Sequence, residues 1–213
     1  MNPILKPADI EKRSFAIITE ELGDRTFPEG QAEIVKRVIH TSADFDYADN
    51  LVFSPDAVEK AKDALRQGAT VVTDTNMALS GVSKSVLAKL GGRAVCFMAD
   101  EDVAREAKAR GVTRAVVSME HAAKLEGPVI FAIGNAPTAL IRLHELIKAG
   151  EIEPALVIGV PVGFVNVVES KELFLGGNTP YIIARGRKGG SNVAAAIVNA
   201  LLYQLYTREG FET

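Results

Sequence analysis

The chain has 213 residues, 47% hydrophobic and 24% charged, and 24 basic against 27 acidic side chains leave a net charge of −3. That much apolar material can form a core without metal or disulfide staples. The slight negative charge excludes a general attraction for nucleic acid or anionic membranes, so an anionic ligand must meet a local cluster of donors.

The N-terminal segment Met1–Pro7 lacks the apolar core of a leader peptide. Helical periodicity then predicts helices over Ala8–Leu22 and Pro28–His40. Beyond them, apolar β-branched runs alternate with helical stretches. The expected order is helix Pro55–Gln67, strand Thr70–Thr73, helix Val82–Leu90, strand Ala94–Met98, helix Asp100–Arg110 and strand Ala115–Ser118. Strand Val129–Ile133, helix Ala136–Ala149, strands Leu156–Val160 and Tyr181–Ala184 and helix Asn192–Tyr206 complete it. The strand runs are near-continuously apolar, as strands covered on both faces are. Gly68, Gly91, Gly111 and Gly150 stand where helix ends take a left-handed residue.

This alternation predicts an α/β fold: one domain over residues 1–213, with a doubly wound, mostly parallel sheet and helices on both faces. An N-terminal helical segment of about residues 1–45 should pack on that core. The single Cys96 lies in an apolar run, cannot form an internal disulfide and reads as a small buried hydrophobe in a reducing compartment. The longest apolar stretch, Ala194–Tyr203, is broken by Asn199 and falls short of the ~20 residues that span a bilayer. A cytoplasmic protein is expected.

Open α/β sheets bind ligands beyond the carboxyl ends of their strands. The segments that follow four of the strands, 74–81, 134–138, 161–164 and 186–191, are rich in Gly, Pro or small polar residues and should share one edge. Gly134-Asn-Ala-Pro-Thr138 turns into a helix whose free amides suit an anion, although an ordinary capped turn reads the same way. Gly186-Arg-Lys-Gly-Gly-Ser191 adds two cations to exposed amides; a basic turn on a solvated surface is its alternative. Neither a Walker loop nor the glycine fingerprint of a nicotinamide-dependent oxidoreductase is present.

Of the three histidines, His121 and His144 read as helix-surface residues, and none has metal-ligand spacing to another His or Cys. His40 ends an apolar-periodic stretch and precedes Thr41-Ser42-Ala43-Asp44. The carbonyl end of a helix and Asp44 favour the protonated imidazole, while Arg37 opposes it. That suits a general acid, although position alone favours a plain C-terminal cap. The residues alone point to a cofactor-free acid reaction on an anionic ligand.

Together with Glu11-Lys-Arg-Ser-Phe15, Arg37-Val-Ile-His-Thr-Ser-Ala-Asp-Phe-Asp46 and Glu169-Ser-Lys171, the four loops resemble the precorrin-8X and cobalt-precorrin-8 methylmutase family. The resemblance runs from Glu11 to the final helix, and Thr73–Gly81 and the Arg-Val-Ile-His-Thr form look more like its anaerobic, cobalt branch. It implies an isomerase (an intramolecular transferase) of cobalamin biosynthesis. Such an enzyme moves a methyl group from carbon 11 to carbon 12 of cobalt-precorrin-8, or of precorrin-8X, giving cobyrinate or hydrogenobyrinate. It uses no cofactor, and any cobalt travels in the substrate. It also implies a homodimer with each corrinoid site near the subunit interface, and His40 as the catalytic histidine.

A corrin precursor carries several carboxylates around a flat apolar ring, so it needs a wide rim of donors and an apolar floor. The expected rim takes Arg13, Ser14 and Thr41 from the N-terminal helices and Asp74, Thr75 and Ser80 from the first loop. Gly134, Asn135, Ala136 and Thr138 follow, then Ser170 and Lys171. Arg187, Lys188, Gly189, Gly190 and Ser191 close it, and Met77, Val162, Gly163 and Phe164 form the floor. A corrinoid carrier without catalysis is the alternative.

Overall fold

The computed structural model describes residues 7–206, so the leader-peptide reading of the first six residues lies outside the described residues. Helices α1 (Pro7–Leu22), α2 (Gln31–Ser42) and α3 (Tyr47–Asn50) precede strand β1 (Leu51–Phe53). Then come α4 (Ala57–Arg66), β2 (Thr70–Thr73), α5 (Asn76–Gly81), α6 (Lys84–Lys89), β3 (Arg93–Val95), α7 (Glu101–Arg110) and α8 (Arg114–Ala122). The chain continues through β4 (Val129–Ile133), α9 (Pro137–Lys148), β5 (Leu156–Gly159), α10 (Val167–Glu172), β6 (Tyr181–Ala184) and α11 (Ser191–Leu205).

The strands form one sheet in the order β1-β6-β5-β4-β2-β3. All neighbours are parallel except β1, which runs antiparallel to β6. Successive residues serve opposite faces. Val71, Ile130, Leu156 and Ile182 pack in one core with α2, α4 and α11; Val72, Phe131, Val157 and Ile183 pack in another with α8 and α9. Burial on both sides is why these strands are apolar throughout. The α/β, doubly wound expectation holds, and Gly68, Gly91, Gly111 and Gly150 all take left-handed φ values, between 66° and 78°.

Two features of the topology place the site. From β2 the chain moves outward to β3 and then returns across β2 to β4, so the direction of winding reverses between β2 and β4. Crevices at such reversals open at the carboxyl ends of the strands. At the other margin, antiparallel β1 begins with Leu51 opposite Ala184, the last residue of β6. The chain entering β1, including the end of α2, is thereby brought to the edge where the parallel strands end.

One element differs in kind from expectation. Residues 115–118 are not a strand but part of helix α8, where Ala115, Ser118, Met119 and Ala122 are buried at helical spacing. Thr113 caps it by accepting the Val116 N–H, and Glu120 binds Arg110 of α7 and Arg142 of α9. The expected strand Ala94–Met98 stops at Val95, because it is an edge strand paired only with β2. Elements β1, α3, α5 and α10 span only three to six residues, too short for a period to show. Among the described residues no helix is long and apolar enough to cross a membrane.

Candidate active site

The loops after β2 and β4 are joined by one carboxylate. Asp74, fully buried, accepts the Gly134 N–H on Oδ1 at 2.9 Å and the Asn135 and Ala136 N–H groups on Oδ2 at 2.8 and 2.6 Å. The amides expected to hold a ligand anion at the start of α9 are thus filled from within. Burial pushes the Asp74 carboxyl above its usual range, and the three donors oppose that shift. Gly134 serves close packing: a Cβ there would stand 2.7 Å from Gly190 O and Ser191 Cα. Asp74 and Gly134, both buried, therefore build the site from beneath and do not line it, while half-buried Ala136 has its N–H taken by Asp74.

The β2 and β6 loops are tied as well. Thr75 Oγ1 caps α5 and shares a 2.8 Å hydrogen bond with Ser191 Oγ. Gly190 N donates to Val160 O, and Gly163 N to Arg187 O, joining the β5 and β6 loops. Below them lies Lys171 of α10, 1% exposed, whose Nζ donates to Gly186 O at 2.8 Å and Lys188 O at 2.9 Å. Burial lowers its pKa to about 8. Lys171 and its neighbour Ser170, whose hydroxyl donates to Val167 O, are internal supports rather than the rim groups expected from sequence.

His40 occupies the last turn of α2, exposed at the same edge. One ring face stacks on Phe15 of α1, with centroids 5.3 Å apart and planes at 19°. Arg37, one turn back, is held by Glu11 at 2.8 Å. Asp44 turns from His40 to Lys188, whose Nζ stands 2.6 Å from both Asp44 and Asp46. This ion pair holds the Asp44 carboxyl below its usual range and the Lys188 ammonium above its own. Lys188 thus latches the β6 loop to the segment after His40. That segment leaves α2 through Ala43 at a left-handed φ of 53°.

The exposed side chains between these ties are apolar. Met77, Val162, Phe164 and Val165, from the β2 and β5 loops, are 73, 49, 82 and 78% exposed. The Arg187 guanidinium lies 5.5 Å from the Phe164 ring centroid. Asn135 in the β4 loop, Thr41 in the last turn of α2 and Ser80 of α5 are also exposed. Exposed Arg13 and half-buried Ser14 lie on α1, the Ser14 hydroxyl donating to Ile10 O. Thr138 stands apart: it accepts from Thr113 and lines a cavity of about 340 Å³ with Arg110, Glu120 and Arg142. His121 lies between Asp102 and Glu106, and His144 against Phe174. Among the described residues no three His, Cys, Asp or Glu side chains stand together as a metal site.

Sequence reasoning missed Phe15, Asp46 and Val165 as site residues, and it set Asp44 beside His40 and not on Lys188. Val165 had a local signal, as an apolar residue continuing the floor segment; the Phe15, Asp44 and Asp46 contacts join positions far apart in the chain.

The sequence and the fold are both similar to those of known proteins. The precorrin-8X methylmutase family model matches residues 9–204. The chain is 49% identical over 213 residues to the cobalt-precorrin-8 methylmutase of Salmonella typhimurium, covering 96% of this chain and 99% of that one. It is 48% identical over 197 residues to the protein of that name from Priestia megaterium, covering 92% and 88%. The crystal structure of precorrin-8X methylmutase from Thermus thermophilus superposes with a TM-score of 0.83 at 38% identity, over 91% of this chain and 94% of that one.

Proposed function

The chain belongs to the precorrin-8X methylmutase family and is a methyl-shifting isomerase of cobalamin biosynthesis, and from that premise we propose that its substrate is cobalt-precorrin-8, with His40 as the acid. Two relatives at 48 and 49% identity bear the cobalt-precorrin-8 name, which favours the cobalt-bearing substrate over the metal-free one. The observation that carries the reading of the site is the exposed apolar floor of Met77, Val162 and Phe164, bordered by Arg187, at the edge that also bears His40. A flat ring fringed with carboxylates needs such a surface.

His40, stacked on Phe15, stands exposed at the same loop edge as that surface. Protonated, it donates to the conjugated ring and withdraws electron density from it. The bond from the methyl group to carbon 11 then breaks as the bond to carbon 12 forms, on the same ring face. Product and substrate are isomers, so the proton that enters the ring is balanced by one that leaves. No cofactor is required, and cobalt stays in the substrate.

A parallel incubation with cobalt-bearing and metal-free precorrin-8, followed by visible spectra and product identification, tests the substrate choice. Faster conversion of the metal-free form overturns it. His40→Ala should lower kcat by about 10²–10⁴-fold with corrinoid affinity unchanged; turnover within about tenfold of wild type would remove the acid role. The same reading makes the protein a cytoplasmic homodimer. Val165, exposed beside that floor, supports a subunit contact there, and a monomer in sedimentation at working concentration contradicts it.

A further inference from the structure

Lys171 is a buried cation with an unusual set of partners. Its ammonium meets two main-chain carbonyls, Gly186 O and Lys188 O, and among the described residues no carboxylate lies within ion-pair distance of it. A buried charge is costly unless something compensates it. Two carbonyl dipoles do so in part, and what they do to the turn is the point of interest.

In a trans peptide the C=O and the following N–H point in opposite directions. Among the described residues no peptide bond is cis. Drawing the oxygens of Gly186 and Lys188 inward therefore turns the N–H groups of Arg187 and Gly189 outward. The intervening carbonyl of Arg187 is taken by Gly163 N at 3.2 Å, which fixes the alternate peptide in the other sense. Neither the Arg187 nor the Gly189 N–H has a main-chain acceptor among the described residues, and Arg187 is exposed and Gly189 half-buried. Gly189 packs so closely on Val160 O that no side chain fits there, since an added Cβ would collide with it. These two outward amides, alternate along the turn and beside the exposed Arg187, are donors open to an anion.

We propose that Lys171 is a positioning residue: its ammonium, buried below the β6 turn, aims the Arg187 and Gly189 amides outward as donors to carboxylates of the substrate. The inference rests on the corrinoid reading of this edge. It changes the part expected of Lys171 from a rim group that touches substrate to a support that works through two amides. Loss of Lys171 weakens the grip on carboxylates and leaves the proton donor in place.

The test compares wild type with Lys171→Met, which keeps the length of the side chain and removes its charge and donors. The ligands are the product corrinoid with free carboxylates and the same corrinoid with its carboxylates converted to primary amides. For the variant, Kd for the free acid and KM for substrate rise by about tenfold or more, the worth of one or two charge-assisted hydrogen bonds. Kd for the amide form and kcat at saturation stay within about threefold of wild type. Equal changes for both ligands, or no change for the acid, overturn the proposal.

Wild-type protein that neither binds the free acid nor converts substrate refutes the corrinoid reading itself, which is a different outcome. Should Lys171→Met fail to fold, wild-type protein answers the question. Lys188-Gly189 is the one Lys-Gly pair in the sequence, so 13C-carbonyl lysine with 15N glycine isolates the Gly189 amide in an NMR spectrum. Its proton moves downfield when the free acid binds and not when the amide form binds. A resonance that the acid leaves in place overturns the proposal.

Discussion

Asp74→Asn isolates the tie between the β2 and β4 loops. Asparagine matches aspartate in shape, so no cavity forms. One carboxylate oxygen becomes an NH2 group, however, and all three groups facing the side chain are donors. The better orientation keeps oxygen toward Asn135 and Ala136 and sets NH2 against the Gly134 N–H. That loses one charge-assisted hydrogen bond, worth roughly 1.5–3 kcal/mol, and weakens two more toward the neutral value of about 1 kcal/mol. Against this, a neutral side chain escapes the burial penalty that raises the Asp74 pKa. Net destabilisation of about 2 kcal/mol results. With a urea m-value of about 2 kcal/mol per M, the unfolding midpoint falls by about 1 M at unchanged m. A shift under about 0.2 M would refute the idea that this carboxylate holds the two loops together.

Three further perturbations read other parts of the structure. Lys171 has its pKa lowered from 10.5 to about 8 in the folded chain. Between those values the unfolded chain binds more protons, so stability rises with pH, by at most about 3 kcal/mol. Urea melts at pH 7 and 10 should show this gain relative to Lys171→Met, and parallel pH profiles contradict it. Gly134→Ala sets a Cβ 2.7 Å from Gly190 O and Ser191 Cα, which costs about 1–3 kcal/mol; an unchanged urea midpoint means that the β4 and β6 loops are not in contact. Ala43→Gly relieves a non-glycine residue at φ 53°. It should raise Tm by about 1–3 °C even after the entropy lost from the unfolded chain, and a lower Tm argues against the left-handed exit from α2.

The sequence shows the parallel strands because burial on both faces writes itself into contiguous apolar runs such as Val129–Ile133. It also shows that four loops share an edge, since that follows from parallel alternation alone. It misleads at residues 115–118, where β-branched neighbours resemble a strand while burial at 115, 118, 119 and 122 is helical. Three-residue β1 leaves no period, and with it goes the reason why His40 lies beside the β6 loop. Loop position placed Asp74 on the rim, and positive charge together with the Glu169-Ser-Lys171 resemblance placed Lys171 there. Their true partners are main-chain groups 60 to 62 and 15 to 17 residues away, at distances no local pattern encodes.

The claim on which the account depends is that one imidazole acid lets a methyl group pass between neighbouring ring carbons on this loop edge. Substrate carrying 13C in the carbon-11 methyl group tests it most directly, with the label located by NMR after incubation with wild type and with His40→Ala. The account predicts label at carbon 12 with wild type and label retained at carbon 11 with the variant. Migration at equal rates in both, or none in wild type, contradicts it.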